Sequence, residues 1–150
     1  MPLDVSASVT IDRPPEIVAR YAFEPDHDPD WIGGVSSIER VTPGDTALGS
    51  RVLRRGSFMG RGLEWLMEVV DLVPGRTISM HALRSPFPMD VTYTLEPAGA
   101  DGSATRTTIR VQGEAGGYYA LAGPLLRPMV RRSISGDARR LKRLVESRST

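Results

Sequence analysis

A single switch of period constrains this chain most. Up to Gly116-Gly117 the apolar residues recur mostly at every second position. Beyond it Val130, Ile134, Ala138, Leu141, Leu144 and Val145 recur at every third or fourth, with Arg132, Arg139, Arg140 and Arg143 largely between them. The first spacing is that of strands with one buried face, the second that of an amphipathic helix. Pro124 and Pro128 should start or kink the helix, because proline inside a helix removes a hydrogen bond. From Gly123 to Ser147 the helix would be about 35 Å long at 1.5 Å per residue.

The period-two part divides at its turns. Val5, Ala7, Val9 and Ile11 form an opening strand, and Pro14-Pro15 then begin a short helix through Ile17, Val18, Tyr21 and Ala22, with Asp12 or Arg13 as its cap. The segment EPDHDPDWIGG from Glu24 to Gly34 is rich in turn formers, and Trp31 and Ile32 are its anchors against the core. Six further strands follow: Val35 to Thr42, Arg51 to Phe58, one through Leu63, Trp65, Met67 and Val69, Thr77 to Leu83, Met89 to Glu96, and one through Thr107, Ile109 and Val111. Short Pro/Gly turns join them, which predicts an antiparallel meander. One long apolar-faced helix against one sheet is buried only if the sheet curls around it. The expected fold class is therefore α+β: a curved antiparallel sheet of about seven strands wrapped around a long C-terminal helix, with two short helices after the first strand. Where helix and sheet diverge, a wedge of space lined by inward side chains remains, and such concave apolar spaces are where ligands bind.

Length and composition set outer bounds. At 150 residues the expectation is one domain, residues 1–150. The formal charge of +1 gives no global pull toward nucleic acid, which is not expected as a partner. Cysteine is absent, so disulfides, thiolate metal sites and a cysteine nucleophile are excluded. The N-terminus does not read as a signal peptide, no apolar run reaches the roughly 20 residues of a membrane span, and the expected location is the cytoplasm.

Six short segments stand in order along the chain: Pro14 to Val18, Asp30 to Val35, Leu48-Gly49, Val69 to Arg76 (VVDLVPGR), Tyr93 to Pro97 (YTLEP) and Gly136 to Glu146 (GDARRLKRLVE). In their order and spacing the chain resembles the START-like superfamily, also called the helix-grip or Bet v 1-like (SRPBCC) fold, and within it the polyketide cyclase/dehydrase and lipid-transport family. The resemblance covers essentially the whole chain. What it implies is capture of a lipid, polyketide, plant hormone or sterol; a minority of members are aromatases or cyclases.

The candidate ligand contacts are Trp31, Arg54, Phe58, Trp65, Met67, Met80, Met89, Tyr93, Ile109, Val111 and Met129. Most lie on apolar strand faces, where each serves equally well as plain core. Met adapts to irregular shapes, and Trp and Tyr offer flat area with one polar handle. Arg54, if inward, would want an anionic partner, but the alternation of its strand is poor. His27, among Asp26, Asp28 and Asp30, reads as a solvated loop rather than a metal site, and His81 faces away from the core. Glu64 and Glu68 point outward, toward arginines of a neighbouring strand. Hydrolase, zincin, P-loop and dinucleotide signatures are missing. No catalytic residue, metal or cofactor is therefore assigned.

Two readings stay open. One is a binder of a small hydrophobic molecule (lipid, quinone or polyketide-like) in the internal cavity. The other is a polyketide cyclase/dehydrase that uses the same cavity, with Tyr93 and Arg54 as its polar participants. A weaker third is a partner-binding module with a collapsed cavity. A membrane surface is not expected as a partner, since the apolar face of the helix is needed to seal the sheet. Nothing in the sequence fixes an oligomeric state.

Overall fold

The structure is a computed structural model that describes residues 1–148. β1 (Pro2–Ile11) is followed by α1 (Pro15–Ala22), a 3-10 turn at Pro25–His27 and the single-turn α2 (Asp28–Trp31). Then come β2 (Val35–Arg40), β3 (Arg51–Phe58), β4 (Arg61–Val73), β5 (Thr77–Arg84), β6 (Met89–Ala98) and β7 (Ala104–Glu114). A short α3 (Gly117–Ala120) and a 3-10 turn lead into α4 (Leu126–Ser147).

The seven strands form one antiparallel sheet in the order β1-β7-β6-β5-β4-β3-β2, so the first strand pairs with the last. α4 packs mainly on β1, and also touches β7, α1 and α2. This is the helix-grip arrangement expected from the switch of period. Its buried positions, Leu126, Val130, Ile134, Asp137, Ala138, Leu141 and Val145, keep the three-to-four spacing of one face. Pro128 falls in the first turn, where a missing N–H costs nothing, so α4 begins at the prolines.

Two local expectations change. The cap of α1 is Pro14 in an extended conformation without a side-chain cap bond, so neither Asp12 nor Arg13 caps it. Both are used elsewhere: the Asp12 N–H donates to Glu146 Oε2 at 2.7 Å, and Arg13 donates to the Glu146 carbonyl at 2.6 Å. These bonds tie the β1–α1 corner to the end of α4. The second change is α3, a single helical turn at the Gly116-Gly117 break, where the sequence shows only a change of period.

Outward acids pair across strands as expected. Glu68 accepts from Arg51 at 2.9 Å and Glu64 from Arg55 at 2.9 Å. His81 faces outward against Asp90 at 2.7 Å. His27 stacks flat on Tyr21 with ring centres 4.0 Å apart.

Candidate functional site

The sheet and α4 separate toward the hairpin that joins β3 to β4. There they enclose a cavity of about 140 Å³. Inner-face residues of successive strands form one wall: Phe58 of β3, Leu63, Trp65 and Met67 of β4, Met89 and Val91 of β6, and Val111 of β7. Val130, Ser133, Ile134 and Asp137 of α4 form the opposite wall. Phe87, in the β5–β6 turn, and Tyr119 of α3 close the mouth. Tyr119 stands 6.0 Å from Phe58 and 5.7 Å from Phe87 between ring centres, an aromatic cluster across three separate segments.

Two charged side chains reach this otherwise apolar space, Arg54 and Asp137. Arg54 is buried, and its Nε donates to Asp28 Oδ2 at 3.0 Å. Its Nη2 donates to Tyr93 Oη at 3.3 Å and approaches Met80 Sδ at 3.8 Å. Asp28, Met80 and Tyr93 line a second, smaller cavity of about 30 Å³ behind Arg54. The guanidinium is planar, so the edge carrying Nε and Nη2 faces that smaller space. The remaining nitrogen, Nη1, has no hydrogen-bond partner among the described residues, and Arg54 also lines the larger cavity.

Burial works against the charge of Arg54, and Asp28 and Tyr93 together more than offset it, so the guanidinium is held above its usual pKa. Burial likewise raises the Asp28 carboxyl, with Arg54 pulling it back. A guanidinium cannot shed its proton at neutral pH, so Arg54 stays charged and favours the ionised form of Asp28. Tyr93 is pushed up to about 12, chiefly by burial, and remains a neutral hydroxyl.

Asp137 sits in the buried phase of α4. Its Oδ1 accepts from the Gly33 N–H at 2.9 Å and from Arg140 Nη2 at 2.5 Å, while Arg140 Nε donates to the Trp31 carbonyl at 3.0 Å. This bracket fastens α2 and the Gly33-Gly34 corner to the helix. Burial raises the Asp137 carboxyl, against the pull of the Gly33 N–H and of Arg140. Its Oδ2 accepts no hydrogen bond from the described residues.

Of the residues singled out in the sequence, Arg54, Phe58, Trp65, Met67, Met89 and Val111 lie on the cavity wall. Four others are elsewhere, and Tyr93 reaches the cavity only through Arg54. Trp31 is 1% exposed and packs edge-on against Tyr93 at 5.3 Å, inside the core. Ile109 pairs with Tyr93 across the strands and is buried; both lie further along β6 and β7, where α1 packs over β6, so the open space ends before them. Met80 and Tyr93 face the smaller cavity. Met129 is 38% exposed, because the buried phase of α4 runs through Leu126 and Val130 and leaves the position between them outside. Alternation gives a face and not a position along the strand, so it does not separate strand residues of the cavity wall from those of the core.

The missed residues carried partial signals. Phe87 stands between prolines and Tyr118-Tyr119 follow a glycine pair, so both are large aromatics in turn-rich sequence. Asp137 is an acid in the buried phase of an amphipathic helix. Asp28 had no signal that set it apart from Asp26 and Asp30. Among the described residues no group of three His, Asp or Glu side chains converges as a metal site would need.

The sequence matches the polyketide cyclase/dehydrase and lipid transport family over residues 2–146. The chain belongs to that family. No curated protein matches it in sequence. Among solved structures, it resembles the protein TTHA0849 from Thermus thermophilus with a TM-score of 0.81, 20% identity and coverage of 98% of this chain and 99% of that one. It resembles the Zhui aromatase/cyclase of Streptomyces sp. R1128 at 0.78, 18% identity and coverage of 97% and 94%. A START superfamily protein from Mycobacterium smegmatis gives 0.81, 14% identity and coverage of 95% and 97%. At these identities the likeness shows the fold alone. Among the described residues no helix is long and apolar enough to cross a membrane.

Proposed function

We propose that the protein binds a small hydrophobic molecule between the sheet and α4, with the ligand's polar group at Arg54 and Asp137. The observation that carries this reading is an apolar cavity whose two charged wall residues each keep an uncommitted polar atom, Nη1 and Oδ2. A ligand oxygen would accept from Nη1, and a ligand hydroxyl would donate to Oδ2. Volume narrows the class. An apolar cavity of roughly 150 Å³ takes one benzene ring, whereas drug-sized ligands fill about 300–1,000 Å³. The space of about 140 Å³ favours a single-ring phenol or quinone, or a short acyl chain, over sterols and fused polyketides. Ser133 is on the wall, so Ser133→Phe would place a ring in the cavity. Thermal-shift titration against monocyclic quinones and phenols, sterols and phospholipids should raise the melting temperature for the single-ring class alone, and Ser133→Phe should abolish the rise. No stabilisation by any of them, or equal stabilisation of Ser133→Phe, would end the reading.

A second reading is catalysis of the cyclase/dehydrase kind. It is favoured by Asp137, a buried carboxyl raised in pKa on the same wall as a cation. Arg54 would polarise a bound carbonyl while Asp137 takes a proton from the neighbouring carbon. Conversion of a short poly-β-ketone, followed by mass spectrometry and lost in Asp137→Asn, would separate this from simple binding.

A further inference from the structure

The stretch between β7 and the buried part of α4 carries a surface unlike the rest of the molecule. Leu121 is 83% exposed, Leu125 65%, Met129 38% and Tyr118 38%. Leu125 and Met129 stand four apart across the start of α4, and Leu121 precedes them in the turn that leads into it. Within the segment the charge has one sign, with Asp4 and Glu114 at its border. Residues 115–136 contain Arg127, Arg131 and Arg132, all exposed, and no Asp or Glu. Arg61 joins them from β4, resting over the Tyr118 ring at 4.5 Å. None of these four arginines forms an ion pair among the described residues, so their charge is uncompensated by direct contact. The patch abuts the cavity mouth: Tyr118 donates to the Met59 carbonyl at 2.9 Å, and its neighbour Tyr119 is part of the wall.

We infer that this tip docks on an anionic lipid bilayer, with Leu121, Leu125 and Met129 entering the acyl boundary and the arginines resting on the headgroups. The helix face that seals the sheet runs from Leu126 to Val145 and is closed to a membrane, but it leaves Leu121, Leu125 and Met129 out. A bilayer suits the geometry better than a protein. A stable protein interface needs about 800 Å² per partner, whereas a few projecting aliphatic side chains ringed by arginine are enough for an interfacial anchor. Tyrosine at the boundary fits the same environment. Docking stands apart from ligand binding, since none of Leu121, Leu125 and Met129 lines the cavity. If both hold, the mouth opens where an apolar ligand is dissolved.

The test is sedimentation with phosphatidylcholine vesicles, with and without phosphatidylglycerol. The wild-type chain should bind the phosphatidylglycerol vesicles and release them at high salt. Leu121→Glu with Leu125→Glu should lower binding by at least about tenfold. Leu48→Glu is the control, because Leu48 is 66% exposed and lies before β3, whose far end is at the mouth. It should bind as wild type, and all variants should keep the wild-type melting temperature. No binding to phosphatidylglycerol vesicles, equal loss in Leu48→Glu, or a dimer that Leu121→Glu splits without any vesicle binding would each overturn the inference.

Discussion

At the scale of single residues, the molecule is organised around a cation it has removed from water. Arg54 is satisfied on one edge by Asp28 and Tyr93, so removing it strands a buried carboxylate, and removing both charges does not. Breaking such a pair from one side costs about 3–5 kcal/mol, while replacing both partners is often near neutral. Arg54→Met should therefore lose stability of that order in urea denaturation, and Arg54→Met with Asp28→Asn should regain most of it. If the double variant were as unstable as the single, the pair would not be the reason for the loss. Asp137 makes a different prediction. Its folded carboxyl lies above the ordinary value of 3.8, so between that value and its raised one the folded chain holds more protons than the unfolded chain. Stability contributed by this group must then fall as pH rises through that window, and stay level above it. Asp137→Asn removes this contribution, so its melting temperature should decline less over the same window. Arg54, Arg140 and the Gly33 N–H are the groups that face this carboxyl and hold the shift down.

At the scale of elements, two glycines that look alike in sequence do opposite things. Gly56 of β3 lies against the backbone of Gly34, whose carbonyl accepts from the Ser57 N–H at 2.9 Å. A Cβ at Gly56 would overlap that carbonyl, and backbone cannot swing aside. Gly56→Ala should cost about 3 kcal/mol or more, by forcing β2 away from β3. Gly136 sits inside α4, where an added Cβ would meet nothing closer than 3.8 Å, and that neighbour is the flexible end of Arg140. Gly136→Ala should stabilise by about 0.5–1 kcal/mol, because glycine loses more freedom than alanine on entering a helix. Chemical denaturation of the two variants side by side checks both signs. Most strands were legible because they kept a period of two and ended near Pro or Gly; β3, whose alternation is poor, was opened by Gly49. The single-turn α3 was hard to read, since one turn has no period to detect, and α2 entered only as the second of two short helices after β1.

For the whole molecule, closure depends on β1 pairing with β7, a ladder in which Pro2 meets Glu114 and Ile11 meets Thr105. α4 then packs on that β1, so both ends of the chain complete the same core. Unfolding should be one cooperative event, with tryptophan emission (Trp31 in the core, Trp65 on the cavity wall) and far-ultraviolet circular dichroism giving coincident urea transitions. An earlier emission change would show the cavity end opening by itself. The inward faces of the strands and of α4, and the order in which the elements run, could be read from the bare chain, because both are written in local periods of two and 3.6 that depend on backbone geometry alone. It took the assembled fold to make Asp28 the partner of Arg54, to bring Phe87 and Tyr119 over the mouth, and to end the hollow before Tyr93 and Ile109. Those facts depend on how far the sheet curls from the helix and on which turns fold over the gap. Both follow from the packing of segments far apart in sequence rather than from any local pattern.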